Sequence, residues 1–157
     1  MTSMFPSPYR PSRGEKARER QNVRPPIALY ATYYLAIIIA IALIVSALVL
    51  FSVRAPQGVS TELAQIVARN HRFLAVVNLL GGLCLAGLAG KFFSSAKNVR
   101  RFYLAICVFL VAFNLIAIML KIGGIGLMII VFAIIVDAML YFHPSVSSYF
   151  EMRKARK

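Results

Sequence analysis

Charged residues are almost missing from four stretches of this chain, Leu29–Phe51, Phe73–Phe93, Phe102–Leu120 and Ile125–Phe142, whose only acidic residue is Asp137. Each stretch has about 20 residues and, at about 1.5 Å of rise per residue, is long enough as a helix to cross a hydrocarbon core of about 30 Å. The pattern predicts an all-α, polytopic membrane protein with four transmembrane helices, spans one to four, in a single domain over 28–143. Residues 1–27, rich in proline, serine and arginine, read as a disordered basic tail, and 144–157 as a basic amphipathic tail.

The connections carry their own signals. Ser60 is a candidate N-cap for a short helix with Leu63, Ile66 and Val67 on one face, separated from span two by an Asn70-His71-Arg72 turn. Lys121 followed by Gly123, Gly124 and Gly126 predicts a tight hairpin between spans three and four. Pro144 ends span four, and Ser145 is placed to cap an interfacial helix carrying Val146, Tyr149 and Phe150 on its apolar side.

Charge adds an orientation. Of 18 lysines and arginines, fourteen fall in the two tails and the second connection, and only Arg54, Arg69, Arg72 and Lys121 fall in the first and third connections. The positive-inside rule then puts both termini in the cytoplasm (N-in/C-in). Aromatic residues gather at the same boundary: Tyr30, Tyr33, Tyr34, Phe92, Phe93, Phe102, Tyr103, Tyr141 and Phe142 are expected to form an interfacial collar. The net charge of +13 sits beside apolar spans and not on a soluble basic face, so a nucleic-acid partner is not expected. Arg100, Arg101, Arg153 and Lys154 are instead candidate contacts to anionic lipid headgroups. A retained first span of about 23 residues, too long for a signal peptide, suits a bacterial plasma membrane.

Within lipid, close backbone approach drives helix association, so small residues four apart identify packing faces. Span one offers Ala28, Thr32, Ala36 and Ala40; span two offers Gly82, Ala86 and Gly90 below Asn78; span four offers Gly126 and Ala133 beside Asp137. These faces read as internal packing or, above all for span one, as contacts to another membrane protein or a second copy. Counting outward from each span's midpoint brings Asn78 and Asn114 to one depth, where their amides can bond. Asp137 lies in an inner layer, where an aspartate costs about 2.5–3.5 kcal/mol on insertion scales and calls for a partner, water or a use. Lys91, Arg100 and Arg101 are candidate partners. Cys84 and Cys107 reach a similar layer, but two thiols and one carboxylate lack a fourth ligand, so no metal is expected, and no cofactor.

Asp137, Asn78 and Asn114 are thus the candidate intramembrane polar site. They are few for an intramembrane enzyme or a transporter. The expected function is non-enzymatic: an accessory, assembly or scaffold subunit of a larger membrane complex. The alternative is a small homo-oligomeric transporter or channel coupled to protons or cations through Asp137.

Overall fold

The computed structural model describes residues 25–53, 58, 60–93, 97–122 and 124–154. The expectations for the N-terminal tail and for Arg54 and Gly123 lie outside the described residues, as do those for the side chains of Arg153 and Lys154. Among the described residues the regular structure is all helical: α1 (Ile27–Ser52), α2 (Thr61–Ala89), α3 (Lys97–Met119), α4 (Ile125–Tyr141) and α5 (Pro144–Lys154).

Three helices, α1, α2 and α3, are long and apolar enough to cross a membrane. A fourth span is reached when α4 and α5 are taken as one element bent by 44°. At 17 residues, α4 is about 26 Å long and sits at the lower limit for a single span. Large apolar side chains point outward on every long helix, among them Ile38 and Leu48, Leu80 and Leu83, Val108 and Ile116, and Phe132 and Met139. A continuous belt of this kind is costly in water and natural against lipid tails.

The helices close into a ring. Helix α1 packs most extensively on α2 and also on α4, while α3 bridges α2 and α4. No proline or glycine interrupts α1, which starts directly after Pro25-Pro26 with Leu29 N–H donating to the Pro26 carbonyl at 2.9 Å. Its buried face carries Leu29, Thr32, Ala36, Ile39, Ala40, Leu43, Ala47 and Leu50. Small residues along that face let α2 approach closely: a Cβ on Gly82 would lie 2.9 Å from the Ala40 carbonyl oxygen.

Several local expectations change. The short helix expected in the first connection and span two are one continuous helix of 29 residues, because nothing between Thr61 and Leu80 breaks the α pattern. His71 therefore lies within a helix, not in a turn, its Nδ1 2.8 Å from the Val67 carbonyl oxygen. Ser60 precedes that helix without a side-chain capping bond. Among the described residues of the hairpin after α3 the left-handed one is Lys121, with φ 55°. Ile122 N–H donates to Ala117 and Lys121 N–H to Ile118, at 2.9 and 3.0 Å, the paired bonds of a Schellman cap. At α5 the capping side chain is His143, whose Nδ1 accepts from the Ser145 N–H at 3.3 Å, with Pro144 in the first helical position. The apolar side of α5 turns into the bundle, burying Val146, Tyr149 and Phe150.

Candidate functional site

Helix α3 organises the interior. Tyr103, Cys107, Leu110, Asn114 and Ala117 recur at alternating spacings of four and three, which is one helical face, and all are buried. Arg100 extends the same face one turn toward the α5 end. The polar members fall into two layers with Leu110 between them, and Leu110 fits where Gly81 has no side chain: a Cβ there would sit 2.3 Å from Leu110 Cδ2.

In the outer layer, Asn114 Nδ2 donates to Asn78 Oδ1 at 3.0 Å and to the Leu110 carbonyl at 2.8 Å. Both side chains are fully buried. A bond across two helices in this setting is worth about 0.6 kcal/mol on average, enough to fix the rotation of α2 against α3 without dominating stability.

In the inner layer the Tyr103 hydroxyl donates to Asp137 Oδ2. Asp137 is 1% exposed, and its partner is this phenol and not Lys91, Arg100 or Arg101. Asp137 Oδ1 and the Tyr141 hydroxyl are also buried and have no protein partner. Around them the Phe92, Tyr103 and Tyr141 rings form a cluster with centroids 4.7–4.9 Å apart, two contacts edge-on and one stacked. The aromatic collar is thus divided. Phe92, Tyr103 and Tyr141 are fully buried in the bundle, while Tyr30, Tyr34, Phe102 and Phe142 point outward.

Arg100 closes this layer at the α5 end. Its guanidinium carbon lies 5.7, 5.0 and 5.5 Å from the ring centroids of Tyr141, Phe142 and Phe150, and Nη2 donates to Ser147 Oγ at 3.1 Å. A guanidinium held by three ring faces and a hydroxyl ties α3, α4 and α5 together. Arg100 is partly buried with its Nε unpartnered, and neighbouring Arg101 is exposed.

The small-residue faces part ways. Ala28 is half-buried, whereas Thr32, Ala36 and Ala40 are buried inside the bundle, Thr32 Oγ1 donating to the Ala28 carbonyl at 2.9 Å. The buried part of this face on span one is therefore occupied by internal packing, with Ala40 against Gly82 of α2. On α2, Gly82 is buried but Ala86 and Gly90 are exposed. A stripe of residues four apart rotates by about 40° per step, so it leaves the buried side, which continues through Leu85 and Ala89. Ala133 is half-buried and Gly126 exposed. Cys84 faces outward and Cys107 inward, so the thiols do not share a site. Among the described residues no group of three His, Cys, Asp or Glu side chains gathers as a metal site would require.

Tyr103, expected at the interface because aromatic residues favour it, is instead fully buried beside Asp137. Its signal was the spacing to Cys107 and Asn114 on one helical face. No protein family, curated protein or solved structure matches the chain.

Proposed function

We propose that this chain is a non-enzymatic accessory or assembly subunit of a larger membrane complex, with four spans, both termini in the cytoplasm, and a bacterial plasma membrane as its setting. The observation that carries the reading is the outward face of α2. Gly87 is exposed there, one turn beyond exposed Leu83 and before exposed Gly90 at the helix end, and a Cβ added to Gly87 would meet nothing within 4 Å. A bare backbone of this kind favours close approach by a helix of another integral membrane protein. The polar side chains, by contrast, are mostly spent on one another inside the bundle. The basic Arg100, Arg101, Arg153 and Lys154 then contact anionic headgroups and hold the assembly to one leaflet.

The test is to purify the full chain in mild detergent, identify what accompanies it, and measure the particle mass. A stoichiometric larger membrane protein is the expected result, and a bare monomer refutes the reading. The second reading, a homo-oligomeric transporter or channel coupled to protons or cations through Asp137, is favoured by the unpartnered Asp137 Oδ1. A pure homo-oligomer would send the work to flux measurements on Asp137→Asn.

A further inference from the structure

Among the described residues five buried polar atoms have no protein partner; Asn78 Nδ2 and Asn114 Oδ1 belong to the amide pair, and the other three, Asp137 Oδ1, Tyr141 Oη and Arg100 Nε, occur together at one end of the bundle. Unpartnered buried polar groups cost about 1–3 kcal/mol each, so three in one place point to a shared occupant. They are also ordered along the helix axes. Tyr141 follows Asp137 by one turn on α4, which separates their Cβ atoms by about 5–6 Å, and a helical tyrosine leans back toward the preceding turn. The Arg100 guanidinium carbon lies 5.7 Å from the Tyr141 ring centroid, and its Nη2 bonds Ser147 on α5. A water placed between neighbouring members of this set would find polar partners on both sides, as a buried water requires.

We propose that Asp137 is a proton-exchange site, reached from the end of the bundle closed by α5 through a short water-bridged file along Arg100 and Tyr141. A proton from water at that end passes to the Asp137 carboxylate, forming its O–H bond, and returns by the same route. Tyr103 donates to Oδ2 throughout and leaves Oδ1 as the exchanging oxygen. The file stops at this layer, because Leu110, fully buried, separates it from the Asn78–Asn114 pair.

The titratable and charged groups facing Asp137 are few. Helix α3 contributes Tyr103, Cys107 and, at the mouth, Arg100; α4 contributes Tyr141; α5 contributes buried Tyr149 beyond Ser147. The buried faces of α1 and α2 offer only Thr32 and Asn78 as polar residues; Thr32 is bonded, and Asn78 is bonded through Oδ1 with its Nδ2 unpartnered. The proposal holds whether or not a second protein covers α2, since it concerns the interior alone.

Asp137 is the only aspartate in the chain, so carboxyl-labelled [13C]aspartate reports on one position. The labelled full chain is placed in lipid nanodiscs, and its carboxyl signal is followed by infrared and NMR spectroscopy against bulk pH and after transfer to D2O, with Asp137→Asn identifying the signal. Reversible titration and carboxyl exchange are expected in the wild type. Exchange should slow at least tenfold in Tyr141→Phe, which keeps the ring stack on Phe92, and should be unchanged in Asn78→Ala. A signal indifferent to bulk pH, or exchange at the wild-type rate in Tyr141→Phe, overturns the proposal. Should Tyr141→Phe fail to fold, Arg100→Gln is read by the same tenfold criterion.

Discussion

Adding one methyl group to α2 should have opposite consequences at positions five residues apart. In Gly82→Ala the new Cβ lies 2.9 Å from the Ala40 carbonyl oxygen, 3.0 Å from Ile44 Cγ1 and 3.3 Å from Leu43 Cβ. The nearest atom is backbone, so α1 and α2 must move apart along their most extensive contact. In Gly87→Ala the Cβ meets nothing within 4 Å. Both substitutions share the helix-propensity gain of replacing glycine, about 1 kcal/mol, which cancels when the variants are compared. What remains is the overpacking cost at Gly82, about 1–3 kcal/mol, or roughly a 5- to 150-fold difference in unfolding equilibrium. Steric-trap or denaturant unfolding of the purified chain in one detergent, with helicity as readout, measures it. Equal stability of the two variants would refute the α1–α2 packing described above.

Other consequences follow from the same contacts. Tyr103→Phe removes the only protein hydrogen-bond donor to Asp137 among the described residues, so unfolding should become easier by about 1–3 kcal/mol; coupling near zero in a double-mutant cycle with Asp137→Ala would deny the contact. Asn114→Ala should cost more than Asn78→Ala in the unfolding measurement, because Asn114 bonds both Asn78 and the Leu110 carbonyl, with the interhelical share about 0.6 kcal/mol. Reporter fusions after Lys154 should be active in the cytoplasm, and a reporter inserted at Gly58 should be active outside, which checks the proposed orientation.

The long apolar helices were legible from hydropathy alone, since about 20 uncharged residues have few other places to go. Their ends were less so. Lys97–Arg101 looked like a polar connection, yet those residues form the first turns of α3, because lysine and arginine are good helix formers and carry no stop signal. The Asn78–Asn114 layer was accessible because depth follows from counting residues at fixed rise. The partner of Asp137 was not, because a collar assignment treats every boundary tyrosine as facing lipid. The direction a tyrosine faces depends on its azimuth, and Tyr103 and Tyr141 share theirs with buried residues while their sequence neighbours Phe102 and Phe142 do not. The same geometry misled the reading of small residues on α2, whose four-residue repeat drifts from the buried side to the surface by Ala86.

In the proposed function the interior holds the polar groups and the α2 surface at Gly87 receives a partner. The most direct measurement is co-purification of Gly87→Leu beside the wild type in mild detergent, with each particle's mass and thermal stability recorded. Loss of the larger membrane partner with unchanged stability of the chain is predicted, because the added side chain projects into open space on the chain itself. Retention of that partner at wild-type stoichiometry would contradict the assignment of this face.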